Sequence, residues 1–188
     1  MKIIDNCTNH FLANELEQIF LDQYTSWLYD PTTAGQGLSS TLLFPNAAET
    51  FQFVHPIMDN GRHDSPYTSL VLELGNKIFF DLNISILNYR RIKVNQLLKS
   101  TENIENYHPP HVDDLAENML SLIYYINDSD GPTYFFNSQG TCIDKVYPKK
   151  NRCVIFPSNM FHASSSPTLF DRRLVINFVA ATDLKVDL

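Results

Sequence analysis

Two histidines and a carboxylate are spaced in a way that suits a metal ion. In His108-Pro109-Pro110-His111-Val112-Asp113-Asp114, an imidazole and a carboxylate stand two residues apart. On extended chain, residues i and i+2 point to the same side, so His111 and Asp113 can take adjacent positions on one metal. His162 follows a strand-like run in Phe156-Pro157-Ser158-Asn159-Met160-Phe161-His162. A lone histidine at a strand edge usually serves packing. His162 gains weight because the intervening strands can return it to the side of His111.

Two histidines and one carboxylate on one face leave three positions open. That is the facial arrangement of non-haem Fe(II) sites, which need room for O₂ and a co-substrate. A second element is Asp171-Arg172-Arg173-Leu174-Val175-Ile176-Asn177-Phe178. An arginine entering a buried strand is costly unless it meets an anion, and its planar fork suits a carboxylate. Neighbours on a strand face opposite ways, so only one of the two serves that purpose. Arg173, Val175 and Asn177 form the more polar face, which points to Arg173. A third element is Ile123-Tyr124-Tyr125-Ile126, where one tyrosine must face inward and find a polar partner.

Elements must position these groups. Thr8 and Asn9 can cap a helix running to about Tyr29, with Leu12, Leu16, Ile19, Phe20, Tyr24, Trp27 and Leu28 at three- and four-residue steps. Asp30-Pro31 stops it. The stretch from Thr32 to about His63 reads as irregular, and with Leu98–Tyr107 it is expected to act as a lid over the pocket. Ser65-Pro66 opens a second helix with a stripe of Leu70, Val71, Leu74, Ile78 and Phe79. Strands are expected at Ile84–Tyr89, Arg91–Leu98, Met119–Ile126, Thr133–Phe136, Thr141–Tyr147, Arg152–Phe156 and Arg172–Ala180. This is a mainly β fold with N-terminal helices: a jelly roll with helices packed on one sheet. Glycines are few, and asparagines are expected to serve many turns.

The 188 residues, 44% hydrophobic and 19% charged, fit one globular domain, with 1–82 as helical preface and lid and 83–182 as core. A net charge of −7 argues against a broad basic surface for nucleic acid. Arg90, Arg91, Lys93, Lys149, Lys150 and Arg152 read as local basic rims, most simply as solvated strand ends. No apolar run approaches the roughly 20 residues of a membrane span, and Asp5 precedes any signal-like apolar region. Cys7, Cys142 and Cys153 form no CxxC pair, so a cytoplasmic, reducing setting is expected, with no cysteine zinc site.

The order His-x-Asp, Ile-Tyr-Tyr-Ile-Asn, Gly-x-Thr-x-Phe, Phe-Pro-x-x-x-x-His and Arg-x-x-x-Asn-Phe, over about Arg91 to Ala180, resembles the Fe(II)/2-oxoglutarate-dependent oxygenases. Within them it is most similar to the prolyl-hydroxylase-like branch, including small phage and marine bacterial versions. The resemblance implies a double-stranded β-helix. It implies His111, Asp113 and His162 as iron ligands, with no catalytic side chain beyond them. It also implies that Arg173 and Tyr125 bind the distal carboxylate of 2-oxoglutarate, with O₂ as co-substrate. The chain departs from the pattern in three places, one of them the long Leu98–Tyr107 connection, which differs from the usual glycine-bearing loop. Asn151 stands where a glycine is usual before the Phe-Pro strand. The common tyrosine before His-x-Asp is replaced by a segment with Lys93, Asn95 and Gln96, where Asn95 would fill its place. The implied activity is hydroxylation, of a protein or peptide side chain such as proline. The alternatives are a hydroxylase of a free amino acid or a nucleobase, or a cupin-like metal-binding module without a carboxylate clamp.

Overall fold

The computed structural model describes residues 1–34, 43–44, 46–101 and 107–183. Its elements are β1 (Lys2–Asp5), α1 (His10–Leu21), β2 (Leu28–Asp30), β3 (Gln52–Asp59), β4 (Arg62–His63), α2 (Thr68–Asp81), β5 (Ile86–Leu98), β6 (Met119–Tyr125), β7 (Thr133–Phe136), β8 (Cys142–Val146), β9 (Arg152–Pro157), β10 (His162–Ala163) and β11 (Arg172–Thr182). The main sheet runs β1-β9-β6-β11-β5-β3-β2, with β4 paired to β3, and a second sheet runs β10-β7-β8. The pairings between these strands are all antiparallel. The fold is a double-stranded β-helix with helices on one face.

Period-two alternation on β11 sorts the molecule into layers. Leu174, Ile176 and Phe178 join Leu12, Leu16, Phe20, Val71, Leu74, Ile78 and Phe79 in the core between sheet and helices. Val175 joins Tyr125, Phe135, Val154 and Phe156 in the core between the two sheets. Each fully buried side chain of this size stabilises by about 1.5–3 kcal/mol.

Several elements differ from the sequence expectation. Asn9 does cap α1, accepting from the Leu12 amide at 2.9 Å. The helix ends at Leu21 rather than near Tyr29, because Leu28–Asp30 pairs with Gln52–Val54 of β3. Tyr24 and Leu28, counted in the helical stripe, are exposed. The last part of the stretch expected to be irregular holds strands β3 and β4. Pro56 sits there at a register shift beside Met58, a place where a missing N–H is tolerated. The remaining lid expectation falls partly on 35–42, 45 and 102–106, outside the described residues. The second helix begins at Thr68, after a turn in which Ser65 O accepts from the Thr68 amide and hydroxyl. The two strands expected between Ile84 and Leu98 are one, β5, and β1 is an additional strand.

Asparagine does serve turns. Asn6, Asn60, Asn83 and Asn151 all have positive φ. At Asn151, where φ is 64°, the side chain also accepts from the Thr8 amide and donates to the Thr8 carbonyl. The substitution for glycine thereby ties the N-terminal segment to β9. Among the described residues no helix is long and apolar enough to cross a membrane.

Candidate metal and co-substrate site

His111 and His162 form an antiparallel bridge, each amide donating to the other's carbonyl at 2.9 Å. Residues paired in this way project to the same side, and the two ring centroids lie 4.5 Å apart. Asp113 is brought alongside because its amide donates to Ser158 O at 2.9 Å. One ligand atom from each of His111, Asp113 and His162 lies within 4.8 Å of the others.

The carboxylate of Asp113 is held on both oxygens. Oδ1 accepts from Arg91 Nη2 at 2.6 Å. Oδ2 accepts from Ser121 Oγ at 2.7 Å and Asn177 Nδ2 at 3.3 Å. Burial alone would raise its pKa, but the His162 imidazole and the Arg91 guanidinium outweigh that and hold it below the usual carboxylate range. Burial, reinforced by repulsion from His162, pulls His111 down to about 3. A neutral imidazole and an ionised carboxylate are the forms that bind a metal.

The cavity beside this cluster lies between the two sheets. Gln52, Lys93, Asn95, Arg173 and Asn177 line it from the main sheet, and Thr133 and His162 from the other. Arg173 is 2% exposed. Its Nε donates to Gly131 O at 2.7 Å and its Nη2 to Thr133 Oγ1 at 2.8 Å. Burial lowers its pKa, with the nearby Tyr125 phenol opposing. Arg172 lies on the opposite face, reaching Leu21 O at 3.4 Å.

Thus His111, Asp113, His162, Arg173 and Asn95 all reach one cavity. Asn95 donates to Gln52 Oε1 at 2.5 Å, while its own Oδ1 has no partner among the described residues. Tyr125 stands one layer back. Its hydroxyl pairs with Thr133 Oγ1 at 2.7 Å, and its ring lies 5.8 Å from the Arg173 guanidinium carbon. Thr133, Arg91, Lys93 and Ser121 were not singled out as site residues by sequence reasoning. Thr133 was visible as the threonine of Gly-x-Thr-x-Phe. The other three depend on cross-strand register.

The donors fit the groups the resemblance implies. Two imidazole nitrogens and a carboxylate oxygen suit Fe(II). A buried arginine with N–H groups beyond its two protein hydrogen bonds suits a carboxylate. The orphaned Asn95 oxygen marks a wall that awaits a polar partner.

A sequence model of the 2OG-Fe(II) oxygenase superfamily matches residues 96–180. No curated protein matches the sequence. Among solved structures, a prolyl hydroxylase from Trichoplax adhaerens, in complex with a hypoxia inducible factor peptide fragment, is similar at 14% identity and TM-score 0.66, over 97% of this chain and 83% of that one. An oxidoreductase of the 2OG-Fe(II) oxygenase family from Burkholderia pseudomallei is similar at 13% identity and TM-score 0.66, over 98% of this chain and 88% of that one. A Pseudomonas putida prolyl-4-hydroxylase is similar at 13% identity and TM-score 0.58, over 96% and 91%. At these identities the likeness concerns the fold. Together with the family match, it makes residues 96–180 of this chain similar to the 2OG-Fe(II) oxygenase superfamily.

Proposed function

We propose that the chain is an Fe(II)- and 2-oxoglutarate-dependent hydroxylase acting on a protein or peptide side chain such as proline. The observation that carries the reaction type is the convergence of His111, Asp113 and His162 on the cavity that Arg173 lines. A cupin-like metal module gives no reason to bury an arginine against that cavity. The peptide reading is supported by the prolyl hydroxylases among the similar structures, one of them solved with a peptide.

In this reading His111, Asp113 and His162 hold the metal. Arg91, Ser121 and Asn177 keep the Asp113 carboxylate oriented and ionised. Arg173 grips the distal carboxylate of 2-oxoglutarate. Thr133 holds the guanidinium, Tyr125 holds Thr133, and Asn95 closes the wall beside the co-substrate. Bound there, Fe(II) with 2-oxoglutarate and O₂ supplies the oxidising power for hydroxylation, with succinate and CO₂ as co-products. The chain supplies position, charge and a cavity shielded between two sheets. The free Cys7, Cys142 and Cys153 support a reducing, cytoplasmic setting.

The test is succinate formation by the purified protein supplied with Fe(II), 2-oxoglutarate and O₂. Slow iron-dependent succinate release without added substrate is the expected result. No succinate, with iron bound, would overturn the assignment.

A further inference from the structure

Lys93 lies on β5 directly opposite Asn177 of β11 and Pro56 of β3, and it lines the metal cavity. It is partly buried there. Among the described residues no hydrogen bond or ion pair engages its ammonium. The carboxylates nearest in influence are Asp113 and Asp30. Asp113 is held by Arg91, Ser121 and Asn177. Asp30 accepts from Gln52 Nε2 at 3.1 Å and the Thr32 amide at 3.1 Å. Burial, then Arg91, pull the lysine down to about 8, so it is still mostly charged at neutral pH.

The charges around the loaded cavity leave this lysine over. The metal's two charges, Arg91 and Arg173 are matched by Asp113, Asp30 and the two carboxylates of 2-oxoglutarate. Lys93 has no anion of its own, and an unmatched partly buried cation is costly. Its place on the strand matters too. Leu97 faces Arg173, and Lys93 lies four residues from Leu97, about 13 Å along the strand. Lys93 is instead level with Asn177, whose amide touches Asp113. The lysine therefore stands beside the metal ligands, far from the distal carboxylate clamp.

We propose that Lys93 forms a subsite for a carboxylate carried by the substrate, next to the carbon that is hydroxylated. This deepens the hydroxylase reading and rests on it. The carboxylate belongs to a free amino acid or to an acidic residue flanking the reacting side chain.

The test uses the protein with Fe(II) and 2-oxoglutarate bound, under anaerobic conditions, with probe binding followed by calorimetry. The probes are the common L-amino acids against their carboxamides, and acetyl-Glu-Pro-Glu-amide against acetyl-Gln-Pro-Gln-amide. At least one acid should bind at least about tenfold tighter than its neutral partner. The series in which this occurs identifies the source of the carboxylate. Lys93→Met should abolish that preference and leave the 2-oxoglutarate dissociation constant within about twofold. Lys93→Arg should retain the preference, and Lys93→Gln replaces the methionine variant if the latter fails to fold. Equal binding of acids and amides would overturn the proposal. So would no acid binding to a protein that holds iron and 2-oxoglutarate, or a tenfold loss of 2-oxoglutarate affinity in Lys93→Met. Failure of the hydroxylase reading shows separately, as no iron-dependent 2-oxoglutarate binding in the unaltered protein.

Discussion

Arg173 and Lys93 line one cavity from adjacent strands, yet their surroundings are opposite. Arg173 is sealed, with its Nε and Nη2 fixed by Gly131 and Thr133 and a tyrosine ring behind it. Lys93 is only partly buried and has no partner among the described residues. A guanidinium locked in place suits a ligand that never changes, because the cost of ordering it has already been met in the fold. An unpaired ammonium on a flexible stem suits a ligand still to be met. In the proposed function, the contrast separates a rigid co-substrate end from a substrate end, with Asp113 between them.

The most damaging change falls on that boundary. Asp113→Ala removes the proposed carboxylate ligand together with its negative charge, and it takes away the ion-pair partner of Arg91. Loss of residues that merely orient a ligand costs about 10–100-fold, so succinate formation should fall by more than about a hundredfold. Unchanged succinate output would move the site to Asp114 or elsewhere and dissolve the comparison.

Next comes the rigid end itself. Arg173→Ala should raise the 2-oxoglutarate dissociation constant at least about tenfold, or about 1.4 kcal/mol. Arg172→Ala should change it by less than about twofold, since Arg172 reaches Leu21 O on the helix side of the sheet. Calorimetric titration of both variants decides the register, and the reverse ranking would place Arg172 in the cavity.

These two adjacent arginines also show how far the sequence could be read. Alternation on β11 separates Arg173, Val175 and Asn177 from Leu174, Ile176 and Phe178, and the two cores bear out the division. The His-x-Asp spacing, the distal histidine and the Asn9 cap were equally legible, because each depends on local geometry. The end of α1 was not. Tyr24 and Leu28 continue the helical spacing, but pairing of Leu28–Asp30 with β3 prevails. β3 was hidden by His55 and Pro56: the His55 ring pairs with Ser26 O and Ser65 Oγ, and Pro56 sits at a register shift. At the site, Arg91 and Lys93 read as solvated strand ends, and Ser121 as an ordinary strand residue. Their place beside His111, Asp113 and His162 comes from pairing across β3, β5, β11 and β6.

A smaller effect is expected one layer behind the clamp. Thr133→Val removes the hydroxyl that joins Arg173 to Tyr125. One such hydrogen bond contributes about 1 kcal/mol, so 2-oxoglutarate binding should weaken several-fold in the same titration. No change would mean that the backbone carbonyl of Gly131 suffices to hold the arginine.

The least effect at neutral pH concerns His108, buried between Ser164 Oγ at 3.0 Å and Ser166 Oγ at 3.2 Å. Burial, then the charge of Arg173, lower its pKa from 6.5 to about 3. The unfolded chain therefore binds this proton first. The contribution of His108 to stability is complete above about pH 6.5 and is lost as pH falls from there towards 3. Urea unfolding midpoints between pH 7 and 5 should decline, and less steeply in Arg173→Leu, where the second cause is gone. An identical slope in that variant would show that the arginine exerts no field there.

The central claim is that His111, Asp113 and His162 hold the metal while Arg173 anchors 2-oxoglutarate against it. Anaerobic titration of the purified protein with Fe(II) and then 2-oxoglutarate tests it most directly, through the weak visible charge-transfer band of the chelate. The account predicts a band that saturates at one iron per chain, is absent in Asp113→Ala, and in Arg173→Ala needs at least about tenfold more 2-oxoglutarate to form. No band in the unaltered protein, or a band that survives in Asp113→Ala, would contradict it.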